Sequence, residues 1–194
     1  MSAEPVFGRL EPPPEGFTAE DLDRIPDLPP RTELVDGSLV LVSPQKLFHM
    51  RVISLLEDNL RRLARREGTL RVRREMSVVL GHRQRPVPDL ILVRAEADGE
   101  PTQTAYPAEA VLLAVEVVSP DSEVRDRERK PQLYAQAGIP HFWRVEDPSG
   151  KITVYVYEID PATGSYSVTG IFHDRLVLSV PLDIDIDLTE IDQY

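Results

Sequence analysis

A chain of 194 residues with a formal charge of −11 and no cysteine is long enough for one domain with a real core. Disulfide and thiolate chemistry are excluded, and so acidic a chain is a poor candidate for indiscriminate nucleic-acid binding. Any metal would sit on carboxylates, carbonyls or histidine, which favours hard cations such as Mg²⁺ or Mn²⁺. No apolar stretch is long enough to span a bilayer, and the N-terminus lacks the basic and apolar regions of a signal peptide, so a cytoplasmic location is expected.

Residues 1–17 are proline-rich and without periodicity, which reads as a flexible arm before a single domain over 18–194. Thr18 followed by Asp21 suggests a short helix to Arg24, ended by the prolines between Ile25 and Pro30. Glu33 to Val42 reads as a hairpin turning at Asp36-Gly37. His49 to Glu67 is the strongest helix, with Val52, Leu56, Leu60 and Leu63 at helical spacing and Gly68 as its stop. Apolar and polar residues then alternate from Leu70 to Leu80, as in a half-buried strand.

Leu90–Val93 and Val111–Val118 read as buried strands, the first opened by Asp89 and the second interrupted by Glu116. A carboxylate in a core strand is costly unless it is paired, protonated or bound to a cation, so two of them point to one shared site. Ser119 to Ser122 caps a helix over Glu123–Ala137, closed by Gly138. Pro131 implies either a kink or a second turn starting there. Strands follow at His141–Glu146 and Lys151–Ile159 around a turn at Pro148-Ser149-Gly150, and again around Tyr166 and Val177. The alternating tail LDIDIDL is expected at a sheet edge.

Several short motifs occur in a fixed order: Pro88-Asp89, Glu116-Val117-Val118-Ser119-Pro120, Asp126, Lys130, Tyr134, Gly138-Ile139-Pro140, Phe142-Trp143 and Asp147. Glu33-Leu34-Val35-Asp36-Gly37 and His49 precede them. In this order the motifs resemble the Uma-two family of the PD-(D/E)XK nuclease superfamily, described as candidate restriction endonucleases. The resemblance covers nearly all of the chain after about residue 18. It implies an α/β fold, a restriction-endonuclease-like mixed sheet flanked by helices, with additional C-terminal strands. It also implies a Mg²⁺- or Mn²⁺-dependent DNA endonuclease, with Asp89, Glu116 and the Val117 carbonyl as metal ligands and a homodimer as its assembly.

The superfamily's lysine, two residues after the glutamate, is replaced here by Val118, and the resemblance places the missing ammonium at Lys130 on the following helix. Glu33, His49 and Asp126 are possible supporting residues. The plainer readings are a hairpin-edge carboxylate, a helix-start residue and a solvated salt bridge with Lys130. Tyr134 and Trp143 read as packing residues. Arg61, Arg62, Arg65, Arg71 and Arg73 form the dense basic region, equally suited to phosphate contacts and to a solvated helix face. The competing function is a catalytically weak nuclease-fold protein that binds nucleic acid or a protein partner, favoured by Val118 and the acidic charge.

Overall fold

The structure is a computed structural model and describes residues 11–148 and 151–194. Its centre is a mixed six-stranded sheet of order β10-β9-β8-β7-β5-β3. In chain order these strands are β3 (Leu70–Arg74), β5 (Leu90–Arg94), β7 (Val111–Val117), β8 (His141–Glu146), β9 (Thr153–Asp160) and β10 (Ser165–Phe172). Only β7 and β8 run parallel, joined by the crossover through α2 (Lys130–Gln136). This is the restriction-endonuclease-like arrangement expected. The remaining strands form two-stranded ribbons: β1 (Glu33–Val35) with β2 (Ser38–Val40), β4 (Ser77–Val79) with β6 (Ala105–Pro107), and β11 (Arg175–Leu178) with β12 (Ile184–Asp187).

Strand periodicity divides the side chains between the two sheet faces. Leu90, Leu92, Leu113, Val115 and Val117 pack with Val52, Leu56 and Leu60 of α1 (Leu47–Glu67). Ile91, Val93, Ala114 and Phe142 pack with Tyr134 of α2. α1 begins two residues earlier than its periodicity suggests. It ends at Gly68, whose left-handed φ of +76° lets its N–H reach the Ala64 carbonyl. The first hairpin turns through Asp36 and Gly37, both at positive φ (+54° and +79°), as a two-residue turn between twisted strands requires.

Three expectations need correction. The helix from Thr18 is only a 3₁₀ turn over Asp21–Asp23, because Asp21 turns back to accept from the Thr18 amide and hydroxyl at 2.7 and 2.8 Å. The strand Leu70–Leu80 breaks at Glu75, which takes a left-handed φ of +53° while its N–H bonds the Asp89 carbonyl. The chain beyond it leaves the main sheet to pair with β6. The helix expected over Glu123–Ala137 is not one regular helix: a π-helical turn at Arg125–Arg129 precedes α2, which starts at Lys130 with Pro131 in its first turn. That widened turn accommodates the proline ring, which would press on the carbonyl four residues back in a regular helix. The tail, expected at a sheet edge, pairs with β11 as the second strand of a two-stranded ribbon, and buries Ile184, Ile186 and Leu188 in the core that α1 shares.

Phe17, which composition assigns to the arm, packs with Leu34, and its N–H bonds the Gly37 carbonyl. Residues 1–10 of the expected arm, and Ser149-Gly150 of the expected turn, lie outside the described residues. Among the described residues no helix is long and apolar enough to cross a membrane.

A candidate active site in the carboxylate cleft

Asp89 stands one residue before β5 and Glu116 one residue before the end of β7. These strands are antiparallel with Leu90 opposite Val115, so continuing the register brings Asp89 opposite Glu116. Directly opposed residues project from the same face, here the α2 face. The Val117 N–H ties the pair together by donating to Asp89 Oδ2 at 2.7 Å. Both carboxylates and Val117 line one cleft.

α2 closes the cleft with an ammonium. Asp126, Lys130 and Tyr134 recur every four residues and so share one side of the helix. Lys130 Nζ lies 2.8 Å from Glu33 Oε1, 3.0 Å from Glu116 Oε1 and 3.1 Å from Asp126 Oδ1. The Tyr134 hydroxyl donates to Glu116 Oε1 at 2.5 Å, and the Val87 N–H donates to Glu33 Oε1 at 3.0 Å. On the opposite wall His49 Nε2 lies 3.0 Å from Asp89 Oδ1 and an Arg31 guanidinium nitrogen 3.6 Å from it. Glu33, His49, Asp89, Glu116, Asp126 and Lys130 are each only 2–5% exposed. Charges so deep in the fold persist only by satisfying one another.

The electrostatics follow from this crowding. Burial pushes the Glu116 carboxyl well above the usual range; Lys130 opposes the shift, while Asp126, Asp89 and Glu33 add to it. Burial also raises Asp126, with Lys130 again opposing. For Lys130, burial works against the charge, yet Glu116, Glu33 and Asp126 outweigh it and hold the pKa well above that of a free lysine. The Tyr134 phenol is raised by burial and by Glu116, so it stays a donor.

Among the described residues no group of three or more histidine and acidic side chains is already arranged around a metal position. The donor chemistry nevertheless fits a hard divalent cation. The four buried carboxylates outnumber the three full cations that line the cleft, Lys130, Arg31 and Arg125, and the excess of negative charge is met by protons or by a cation.

All three supporting candidates, Glu33, His49 and Asp126, come into the cleft, and Asp126 is buried, not a solvated partner of Lys130. Val118 faces a neighbouring cleft beside Lys46, Phe48 and Pro120. The basic run lies elsewhere. Arg61, Arg65, Arg71 and Arg73 line a groove between the far half of α1 and edge strand β3, and Arg65 is about 24 Å along the helix from His49. Arg61 there pairs with Glu57 at 2.7 Å, Arg73 contacts Asp98, and Arg62 contacts Asn59. The arginines that reach the cleft are Arg31 and Arg125; Arg31 stands apart from any basic run, and Arg125 opens a segment to Arg129 in which acidic and basic residues alternate. Tyr134, read as packing, has its ring in the core and its hydroxyl in the site; its four-residue step from Lys130 is the signal that could have found it.

Comparison with known proteins agrees with this fold. No curated protein matches the chain. A solved structure described as a "putative nuclease belonging to DUF820 from Anabaena variabilis ATCC 29413" superposes with a TM-score of 0.68 at 16% identity, covering 91% of this chain and 98% of that one. At that identity the likeness is one of fold. The Uma2 (Uma-two) family, described as "Putative restriction endonuclease", matches residues 19–190. That span takes in the hairpin, both strand carboxylates, the α2 ammonium and the C-terminal ribbon, and the chain belongs to the Uma2 family.

Proposed function

We propose that the protein is a metal-dependent endonuclease that hydrolyses phosphodiester bonds in DNA. The observation that carries this reading is the convergence of Asp89 and Glu116 from adjacent strands beneath the Lys130 ammonium. Asp89, Glu116 and the Val117 carbonyl would hold Mg²⁺ or Mn²⁺. The ion, when bound, would polarise the phosphate and lower the pKa of its water. The Val117 N–H and His49 fix the Asp89 carboxylate, and Tyr134 fixes that of Glu116. Lys130 stays protonated, so its role is to orient the attacking water and offset charge developing on the phosphate; it cannot act as a base. Its long side chain supplies from α2 the charge that Val118 lacks. Arg61, Arg62, Arg65, Arg71 and Arg73 would meet backbone phosphates away from the cut. One cleft cuts one strand, so a homodimer would serve double-strand cleavage.

The decisive experiment is nicking of supercoiled plasmid with Mg²⁺, Mn²⁺ or EDTA, wild type against Glu116→Gln. Metal-dependent nicking absent from the variant is expected; equal activity in both would point to a contaminant and sink the assignment. The competing reading, a nuclease-fold protein that only binds, draws on Lys130 satisfying the carboxylates without metal. Calorimetry with Mn²⁺ separates the two: the endonuclease reading expects a site that Asp89→Ala abolishes.

A further inference from the structure

The two arginines at the cleft have no settled partners. Arg31 follows Pro29-Pro30 in a tight turn, closed by the Thr32 N–H and hydroxyl on the Pro29 carbonyl at 3.2 and 2.7 Å. Its backbone is left-handed at φ +65°, a conformation that glycine and asparagine adopt readily and a long side chain seldom does. Glu75, also left-handed, faces it across Asp89. Arg31 lies 3.5 Å from Glu75 and 3.6 Å from Asp89, longer than the 2.7–2.9 Å or so of a committed charge-assisted bond. Its Nε is buried with no hydrogen-bond partner. Backbone strain that delivers a guanidinium to so loose a pairing points to a use for the side chain itself.

Arg125 reaches the same cleft from the opposite wall, at the first position of the π-helical turn. Insertions of this kind re-aim side chains and are frequent at functional sites. Among the described residues Arg125 makes no ion pair, and its buried Nε also lacks a partner. The cleft floor is acidic, so an anionic substrate needs cations at its entrance. A phosphodiester shares one negative charge over two non-bridging oxygens, and the planar fork of a guanidinium matches them.

We propose that Arg31 and Arg125 form a guanidinium clamp that takes one phosphodiester of the substrate across the mouth of the carboxylate cleft. The clamp rests on the endonuclease reading for the substrate's identity. Arg125 grips the phosphate without giving up any existing pair. Arg31 exchanges its long contacts to Asp89 and Glu75 for the phosphate, freeing Asp89 for the cation. Both act as substrate-binding residues.

The test measures binding of a fluorescent DNA duplex by anisotropy across a salt titration, in Ca²⁺ to hold turnover off. Wild type is compared with Arg125→Gln, Arg125→Lys and Arg31→Asn. Asparagine tolerates the left-handed backbone, so Arg31→Asn removes the guanidinium without straining the turn, and thermal melts verify that each variant folds. Arg125→Gln and Arg31→Asn should each reduce the slope of log K against log salt by about 1. Arg125→Lys should restore the slope but not the full affinity, since an ammonium cannot grip bidentately. Unchanged slopes and affinities in both Arg125→Gln and Arg31→Asn overturn the clamp and leave the nuclease reading standing. A parallel titration uses thymidine 3′,5′-bisphosphate. Arg125-dependent binding of that probe, by a protein that neither binds nor cuts nucleic acid, keeps the clamp and removes the nuclease reading. Binding of neither ligand overturns the clamp.

Discussion

The two faces of the central sheet solve different problems with the same strands. The α1 face is mainly aliphatic, with Leu113, Val115 and Val117 meeting Leu56 and Leu60 and the C-terminal ribbon, and Trp143 buried among them. The α2 face is aromatic at one end, where Phe142 stacks near Tyr134 and Tyr166 at 5.8 and 5.6 Å between centroids. At its other end it carries the buried carboxylates. Apolar packing gains stability in proportion to the area it removes from water. A buried ionic cluster gains little net stability, because desolvation offsets attraction, and it loses much if one member goes. Within one sheet, then, the first face stabilises the fold and the second holds the candidate site.

Lys130→Met is the sharpest probe of this contrast. It leaves Glu33, Glu116 and Asp126 facing one another without an ammonium. We expect a loss of about 3–5 kcal/mol in chemical denaturation, partly recovered by Mn²⁺, and a fall in single-turnover cleavage of about 10²- to 10³-fold. Stability that Mn²⁺ leaves untouched would break the link between the cluster and a cation.

Leu113→Ala on the other face should cost a comparable amount, about 2–5 kcal/mol from lost burial and the cavity left behind. Here Mn²⁺ should give no rescue beyond its effect on wild type. Cleavage by the folded fraction should be unaltered, as kinetics well below the variant's melting temperature would reveal.

The pH dependence separates the faces further. Glu116 is raised well above its ordinary value of 4.5, so between that value and its raised pKa the folded state binds the extra proton. Stability from this group is present at low pH and is lost as pH rises through the window, at up to about 1.4 kcal/mol per pH unit. Carboxylates held low by partners, such as Asp23 beside Arg85 and Asp36 beside Arg129, act in the opposite direction. The informative quantity is therefore the difference between wild type and Glu116→Gln in metal-free denaturation from pH 4.5 upward. Parallel curves would mean that Glu116 is not strained by its surroundings.

Tyr134→Phe keeps the ring in the aromatic cluster and removes only the hydroxyl on Glu116. A cost of about 1–3 kcal/mol is expected from the lost hydrogen bond to the carboxylate, together with weaker Mn²⁺ binding by calorimetry. A loss of stability alone would return Tyr134 to packing. The smallest effect belongs to Arg65→Ala in the far groove: within about 0.5 kcal/mol in stability, unchanged cleavage at saturating DNA, and at most a shallower salt dependence of binding.

Much of this architecture is legible along the chain because it rests on local periodicity. The apolar stripe of α1, the buried runs of β5 and β7, the Asp36-Gly37 turn and the Gly68 stop each follow from residues within a few positions of one another. The strand carboxylates stand out for the same reason, since a charge inside an apolar run is a local anomaly. What the sequence could not determine depends on distance in space. Glu33 reaches the cleft because its hairpin brings it to Lys130, which stands far along the chain, with 2.8 Å between Glu33 Oε1 and Lys130 Nζ. Asp126 is buried within a π-helical turn, a local geometry that helical periodicity does not announce. The dense arginine run lines a groove at the far end of α1, whereas Arg31 and Arg125 reach the cleft from a left-handed turn and from a widened helical one. Period and propensity are properties of neighbours in sequence. The balance of buried charge belongs to neighbours in space, and only the folded chain brings those together.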